Sequence, residues 1–331
     1  MSKARFGFCT PAWTGAGPWD HHLDYKLIKT TVLQSERLGY DSLWIPDHLM
    51  LGHNNENYEA WTLMSALTQI TERMHLGTLV TCPTHRTPGM LAKTAATIDV
   101  ISEGRVELGI GAGWMRTEQM AYGLPWSNVA KERIGRMVDT IKIVKGMWEN
   151  DSFTYKGQYY SVEDAVCTPK PIQKPHPNIW IGGGGEKLTM KMAAKYADGW
   201  NIGEADPEGY RKKLEVLRAH CTKQGTDYDH IQKSLETYVL ITDRPEDLEA
   251  TKDWGNASTA ELFQQLKLNI KPPAGDLAAW KNRYIMGTQK EVTDRVAEYI
   301  NAGVQLFQIY FIDYPTFSTM DAFARDVIPS L

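Results

Sequence analysis

Two adjacent residues, Asp47 and His48, carry side chains that could move a proton to or from a bound molecule. They follow a short apolar run that ends at Pro46, where a strand is expected to finish. A histidine changes its charge near neutral pH, which suits it to acid and base catalysis. A loop histidine that caps a helix is the equally open alternative. We predict that His48 is the acid or base and that Asp47 sets its tautomer or contacts a cofactor.

A run of four glycines offers a different kind of chemistry, the binding of phosphate. It follows the apolar segment 179–181 and leads into a helical stretch that begins at Leu188. Backbone N–H groups at the start of a helix bind phosphate well, and consecutive glycines are entropically costly in a simple turn. A flexible loop is the other interpretation. The predicted phosphate site consists of Gly182, Gly183, Gly184, Gly185, Glu186 and Lys187.

Another glycine-rich segment, Gly109 to Trp114, also follows a predicted strand. Its spacing does not match the GxGxxG fingerprint of dinucleotide-binding proteins, and it lacks the lysine of a P-loop. Its central residues Gly111, Ala112 and Gly113 instead indicate a place where a flat ring or a neighbouring backbone comes close. A purely structural turn is the alternative.

Aromatic residues complete the set of candidates, and other site chemistries have less support. Three tryptophans near the ends of predicted strands are expected to line an apolar cavity: Trp13, Trp44 and Trp114. The nine histidines are scattered without an HExxH motif, and the pair His21 and His22 is expected to be solvated or associated with a lid. No GxSxG motif is present. The four cysteines are far apart in the sequence, so we expect reduced thiols.

The elements that must position these residues are short β-rich runs that alternate with amphipathic helical stretches. Eight such runs are expected, at residues 5–10, 42–46, 76–81, 106–110, 179–181, 199–202, 235–241 and 306–312. Eight βα units predict a (β/α)8 TIM barrel, whose active site is built from loops at the carboxyl ends of the strands. A doubly wound sheet is the main competitor, but residues 10–17 lack the fingerprint expected in its first βα turn.

Glycines mark four of the expected turns from helix to strand: Gly39, Gly104, Gly199 and Gly303. Because glycine adopts the left-handed conformation that ends many helices, all four are predicted to be helix caps.

Two long spacings between strands predict insertions after strands 4 and 7, at residues 146–177 and 243–284. The first is expected to contain a hairpin around residues 152–160. The second contains Pro272 and Pro273 and is expected to form a lid. Both insertions would cover the site, and residues 1–331 would form a single domain.

Composition and charge restrict the partners of the chain. It has 331 residues, 42% of them hydrophobic, and a formal net charge of −4, which gives no electrostatic argument for nucleic acid or an anionic membrane surface. No apolar run is long enough to span a bilayer, and the amino terminus lacks the apolar core of a signal peptide. We expect a cytoplasmic protein whose partners are small molecules.

Several of these segments together resemble the luciferase-like monooxygenase superfamily. The similar segments are residues 75–88, 91–105, 108–114, 170–186 and 197–201. Within that superfamily, Pro46, Asp47 and His48 resemble the deazaflavin branch, which uses coenzyme F420, more than the branch that uses flavin mononucleotide (FMN).

The resemblance implies a TIM barrel that holds the deazaflavin at its carboxyl-terminal mouth. The deazaflavin ring would lie against Leu79, Val80 and Thr81, and its phosphate tail near the glycine run. Members of this superfamily often have a non-prolyl cis peptide in the third strand, and the matching bond here is Leu79–Val80. A homodimer is also implied.

One departure from the family pattern bears on the substrate. The sugar-phosphate dehydrogenases of this branch use a glutamate as an acid where this chain has Trp114. No basic cluster that would hold a substrate phosphate is evident, and Lys281 and Arg283 of the second insertion are weak candidates for that role. Trp114 instead favours an apolar or planar substrate. The leading hypothesis is hydride transfer between C5 of F420 and a small organic substrate. The alternatives are an FMN-dependent monooxygenase and a non-catalytic barrel that binds a cofactor.

Overall fold

Strands and helices alternate along the chain in the computed structural model, which describes residues 4–14, 18, 22–52, 55–203, 205–265 and 275–331. The strands of these residues are β1 (Arg5–Cys9), β2 (Ser42–Ile45), β3 (His75–Thr78), β4 (Val106–Ile110), β5 (Phe153–Lys156), β6 (Ser161–Ala165), β7 (Ile179–Gly182), β8 (Gly199–Gly203), β9 (Gln232–Ile241), β10 (Ile285–Gly287) and β11 (Leu306–Phe311). The α-helices are α1 (Tyr25–Arg37), α2 (Ala60–Leu67), α3 (Pro88–Ile101), α4 (Arg116–Ala121), α5 (Ala130–Glu149), α6 (Thr189–Tyr196), α7 (Pro207–Gln224), α8 (Pro245–Gln265), α9 (Leu277–Arg283), α10 (Gln289–Ala302) and α11 (Ser318–Ala322).

Parallel strands close into a barrel in the order β1, β2, β3, β4, β7, β8, β9 and β11. The ring is complete because β9 pairs with both β8 and β11, and β11 pairs with β1. Every residue of β11 is buried, which explains why this strand is apolar almost throughout. The (β/α)8 architecture predicted from the sequence is therefore confirmed. Of the helices in the described residues, none is both long and apolar enough to cross a membrane.

The barrel interior contains one of the tryptophans that was expected in the cavity. Trp44 is buried on β2 and meets the ring of Trp180 edge to face, with 5.4 Å between ring centroids. Its Nε1 donates to Oγ of Ser42 at 2.9 Å. The prediction that Trp44 lines a cavity is therefore wrong, because side chains alternate between the two faces of a strand and this one points into the packed core.

Three of the four predicted glycine caps have the expected conformation. Gly39, Gly104 and Gly303 have φ angles of +93°, +84° and +109°, in the left-handed region. Gly199 does not, because it is the first residue of β8 and a Cβ at that position would collide with the ring of Trp180. Glycine is needed there for close packing inside the barrel rather than for ending a helix.

The first insertion lies outside the barrel and does not cover its mouth. The antiparallel hairpin β5–β6 begins where expected, but its second strand starts one residue after the predicted segment ends. The following proline-rich loop is held by Asp99, whose Oδ2 accepts from the backbone N–H of Ile172 at 2.7 Å. The expectation that this insertion covers the site is therefore wrong, since its residues pack on α3 and α5.

The second insertion contains α8 and α9, and β10 then pairs in parallel with β9 at the barrel mouth. Residues of α8 line the cavity described below, as expected of a lid. Pro272 and Pro273 lie outside the described residues, as does His21.

Candidate active site

A cavity of about 1030 Å³ opens at the carboxyl ends of the barrel strands. Most of the residues proposed from the sequence line it: Trp13, Asp47, His48, Leu79, Val80, Gly111, Ala112, Gly113, Trp114, Gly182, Gly183, Gly185, Glu186 and Lys187. Two proposed residues do not. Thr81 is fully buried behind the wall, and a Cβ on Gly184 would lie 2.7 Å from Cδ1 of Ile202. The topology thus brings loops from different βα units to one site.

His48 contacts a carboxylate that sequence reasoning missed. Its Nδ1 lies 3.0 Å from Oε1 and 3.2 Å from Oε2 of Glu118, which is on α4 after the fourth barrel strand. The backbone N–H of Leu49 also donates to Oε2 of Glu118, at 2.9 Å. Nε2 of His48 has no protein hydrogen-bond partner in the part of the chain that the structure describes. The ring is thus held at Nδ1 and left available at Nε2.

The surroundings of Glu118 favour its ionised form. Burial raises the pKa of this carboxyl group, but hydrogen bonds from His48, His85 and the backbone of Leu49 outweigh burial and lower the pKa to about 2. A carboxylate at this position makes Nδ1–H the favoured tautomer of a neutral His48, since a carboxylate accepts and cannot donate.

Asp47 is buried and has other partners. Its oxygens accept from Nη1 and Nη2 of Arg86 at 2.7 and 3.1 Å, from Oγ1 of Thr81 at 2.7 Å and from Nε1 of Trp61 at 3.2 Å. Burial raises the pKa of Asp47, but His85 and Arg86 hold it well below its usual range. The tautomer role expected for Asp47 therefore belongs to Glu118, because the oxygens of Asp47 are already occupied. Asp47 still lines the cavity.

Val80 lines the cavity and packs closely against two glycines. The Leu79–Val80 peptide is cis, as the resemblance implied. A Cβ on Gly111 would lie 2.7 Å from Cγ2 of Val80, and one on Gly182 would lie 3.0 Å from both of its methyl groups. These glycines are required because the Val80 side chain occupies the adjacent space. The close approach predicted at Gly111 is therefore made by a side chain of the protein itself.

The glycine turn after β7 borders the same cavity. Gly183 has a φ of +123° and donates its N–H to the carbonyl of Asn201 at 2.9 Å. Within the described residues, the N–H groups of Gly184, Gly185 and Glu186 have no protein acceptor. Lys213 of α7 donates to the carbonyl of Gly184 at 3.0 Å and to Oε1 of Glu186 at 2.7 Å. Exposed backbone donors beside a lysine make this turn suitable for an anion.

An aromatic wall faces the cavity from β9, β11 and the second insertion. Tyr238 is its centre, with ring centroids 5.1 Å from Tyr310, 4.8 Å from Tyr284 and 5.4 Å from Trp254. Trp13 extends the wall, edge to face with Tyr310 at 5.3 Å. Sequence reasoning missed most of these rings because they come from segments that are far apart in the chain.

Trp114 lies on the cavity wall beside His48, and its ring centroid is 5.2 Å from that of the imidazole. Its side chain is 43% exposed, so it can contact a ligand.

Among the described residues, no group of three or more histidine, cysteine or acidic side chains could hold a metal ion. The four cysteines are buried and unpaired, which agrees with reduced thiols.

Comparison with known proteins shows relatives of two cofactor types. An F420-dependent glucose-6-phosphate dehydrogenase of Microbacterium testaceum (strain StLB037) is 32% identical over 314 residues, which cover 90% of each chain. An FMNH(2)-dependent dimethylsulfone monooxygenase of Pseudomonas putida is 26% identical over 332 residues, covering 94% of this chain and 88% of the relative.

A solved F420-dependent secondary alcohol dehydrogenase, in complex with an F420-acetone adduct, shares the fold with a TM-score of 0.83 at 22% identity, and 99% of each chain is covered. The family model for luciferase-like monooxygenases matches residues 4–306. This match confirms the resemblance seen in the sequence motifs. The chain belongs to the luciferase-like monooxygenase family.

Proposed function

We propose that this protein is an F420-dependent oxidoreductase that transfers a hydride between the coenzyme and a small organic substrate. When bound, the deazaflavin supplies or accepts the hydride at C5. The observation that carries the proposal is the His48–Glu118 pair, which borders the same cavity as Val80 and the glycine turn. The 32% identity to an F420-dependent dehydrogenase supports this choice of cofactor.

The residues around the cavity fit a cofactor with a flat ring and a phosphate-bearing tail. Val80 offers an apolar support for one face of a ring. The turn at Gly183, Gly185 and Glu186, together with Lys213, offers donors and positive charge for phosphate. The volume of about 1030 Å³ is at the upper end of ordinary small-molecule sites, which leaves room for a substrate beside the cofactor.

His48 is the residue that would move the proton accompanying hydride transfer. Glu118 holds Nδ1, so Nε2 is the atom that takes a proton from a substrate hydroxyl or returns it to a carbonyl oxygen. Glu118 also stabilises the imidazolium that forms when Nε2 is protonated. His48 can therefore serve as both acid and base, although Trp114 stands where related sugar-phosphate dehydrogenases have a glutamate.

The cavity favours an apolar or planar substrate. Tyr238, Trp254 and Tyr284 present ring faces and edges rather than a cluster of cations. Of the two residues considered for a substrate phosphate, Arg283 lines the cavity, whereas Lys281 forms an ion pair with Glu291 at 3.1 Å. Arg133 also lines the cavity, but it donates to the carbonyls of Gly113 and Ser127 at 3.2 and 2.7 Å. Arg283 is therefore a weak basis for recognising a sugar phosphate.

An FMN-dependent monooxygenase is the second candidate, because a relative of that type aligns with 94% of this chain. The two functions differ in the cofactor bound and in the use of oxygen. A barrel that binds a cofactor without catalysis is the third candidate, since Trp114 replaces an acid.

The test is to titrate the purified protein with F420 and with FMN, each in its oxidised and reduced form, and to follow ligand fluorescence. Tighter binding of F420, followed by its redox turnover with members of a panel of alcohols, aldehydes and ketones without oxygen consumption, is the expected result. Preferential binding of reduced FMN with substrate-dependent oxygen consumption would replace the proposal with the second candidate. Binding of F420 without turnover across the panel would favour the third.

A further inference from the structure

A second histidine, His85, lies behind His48 and is not explained by the proposed chemistry. It belongs to the loop between β3 and α3, and its side chain is only 1% exposed. Nε2 of His85 lies 3.6 Å from Oε1 of Glu118, and Nδ1 lies 3.7 Å from Oδ1 of Asp47. The imidazole therefore separates two buried carboxylates, one of which holds His48.

The charges around this histidine favour a cation. Asp47 forms an ion pair with Arg86, and Arg86 also forms an ion pair with Glu59. Glu118 has backbone N–H donors and His48, but no lysine or arginine contacts it among the described residues. Two ionised carboxylates in a buried position repel each other unless a positive charge lies between them. His85 is the group in the position to supply it.

The hydrogen bonds of Gln119 are compatible with a protonated His85. Nε2 of Gln119 lies 2.8 Å from Nε2 of His85, and Oε1 of Gln119 lies 2.6 Å from Oγ1 of Thr84. A half turn of the amide presents its oxygen to an Nε2–H of His85 and its NH2 to the Thr84 hydroxyl, which can accept as well as donate. The contacts with His85 and Thr84 are both kept, and the amide oxygen then faces Sγ of Cys82, 3.5 Å away, whose S–H can donate.

We propose that His85 is a positioning residue that acts as a buried imidazolium, keeping Glu118 ionised and directed at Nδ1 of His48. The proposal deepens the proposed function, on which it rests only for the catalytic use of His48. Its effect reaches the substrate through Glu118 and His48, since His85 does not line the cavity.

The titratable groups that face His85 come from three places in the fold. They are Asp47 after β2, Glu118 on α4 and Cys82 in the loop after β3. Burial lowers the pKa of His85, but the two carboxylates outweigh burial and raise its pKa to about 10. The imidazolium is therefore the form expected at neutral pH.

The first test uses the unmodified protein. Nitrogen-15 NMR of labelled histidines, assigned with the His85→Gln variant, reports the protonation of each ring nitrogen. The expected result is that both nitrogens of His85 stay protonated from about pH 6 to about pH 9, above the ordinary imidazole range. A His85 that loses its proton near the ordinary imidazole value would overturn the proposal.

The second test measures Glu118 by carbon-13 NMR of its carboxyl group during an acid titration. In the His85→Gln variant the titration of Glu118 is expected to move upward by about 1 pH unit or more, because an opposite charge is lost. His85→Lys, which keeps a cation, is expected to restore most of the shift. His75→Gln is the matched control and should leave the titration of Glu118 unchanged. His75, the first residue of β3, also lies 3.0 Å from a buried carboxylate, that of Glu107.

These readouts separate failure of the two proposals. If Glu118 titrates identically in the unmodified protein and in His85→Gln, the role of His85 is refuted, whatever the activity. If the NMR shifts appear but the unmodified protein neither binds nor turns over F420, the proposed function is refuted and the role of His85 stands. Should His85→Gln fail to fold, His85→Lys supplies the assignment of the His85 signals, and the titration of His85 in the unmodified protein decides the question.

Discussion

Nδ1 of His48 lies 3.0 Å from Oε1 of Glu118, a residue 70 positions further along the chain. The contact joins the loop after the second barrel strand to the helix that follows the fourth. It determines which nitrogen of His48 is available to a ligand and which is held by the protein. The chemistry proposed for the cavity depends on this pair more than on any other contact.

Substitution of either member of the pair should reduce turnover. His48→Ala is expected to lower kcat by about 10² to 10⁴ if the proton moves in the rate-limiting step. Glu118→Gln should lower kcat by about tenfold or more, because an amide can present its NH2 to Nδ1 and so stabilise the wrong tautomer. Steady-state kinetics with F420 affinity measured in parallel checks both variants. An unchanged kcat in His48→Ala with intact cofactor binding would remove it from the mechanism.

A methyl group at Gly111 should collide with Val80, which lines the cavity. Its Cβ would lie 2.7 Å from Cγ2 of Val80, so Gly111→Ala is expected to destabilise the protein by about 1 to 3 kcal/mol and to weaken cofactor binding. Chemical denaturation and F420 titration measure the two effects.

The matched control is Gly89→Ala in α3, where the nearest atom to a new Cβ, Sδ of Met147, is 3.8 Å away. This variant should be as stable as the unmodified protein or more so. Adding Val80→Ala to Gly111→Ala should recover part of the lost stability. Additive losses in the double variant would show that the two residues do not share the space as described.

Lys213 is expected to contribute to cofactor affinity through the glycine turn. Lys213→Met removes a cation that lines the cavity and contacts Gly184 and Glu186, so F420 should bind about tenfold more weakly, with a smaller dependence on salt. Lys212→Met is the control, since Lys212 is exposed and, among the described residues, forms its ion pair with Glu208. Equal affinities of the two variants would argue against a phosphate at this turn.

The glycine run predicts that Gly184 binds phosphate, whereas the structure indicates that Gly184→Val would disturb packing. Because its Cβ would meet Ile202 rather than the cavity, the expected effect is a lower free energy of unfolding. Comparison of thermal unfolding with F420 affinity per folded molecule separates the two effects. A loss of F420 affinity without a loss of stability would instead show that Gly184 contacts the cofactor directly.

Stability should depend on pH in two separate ranges. The pKa of Glu118 is lowered to about 2, so its contribution is present above the ordinary carboxyl range and is lost as pH falls toward 2. The pKa of His85 is raised to about 10, so its contribution is present below the ordinary imidazole range and is lost as pH rises toward 10. Urea unfolding across pH should show the alkaline loss in the unmodified protein and a smaller one in His85→Gln. Parallel curves for the two proteins at alkaline pH would contradict this linkage.

The sequence by itself was sufficient for the barrel, the family and many of the strand-end residues that line the cavity. Strands such as Leu306–Phe311 are apolar on both faces, and their regular spacing with intervening helices leaves few arrangements other than a closed parallel sheet. Because the carboxyl ends of parallel strands meet at one edge, residues at those ends, including His48 and Gly182, could be assigned to a common site before any contact was known.

Only the tertiary structure decided which of these residues act on one another. Glu118 and His85 occupy positions with no local pattern that distinguishes them from helix or loop residues, and they meet His48 and Asp47 across the barrel mouth. Gly111 and Gly182 likewise owe their identity to Val80, a neighbour from another βα unit. Hydrophobic periodicity and turn chemistry specify elements within a dozen residues of chain, whereas the charge and space at an active site are set by side chains from separate elements that folding alone brings together.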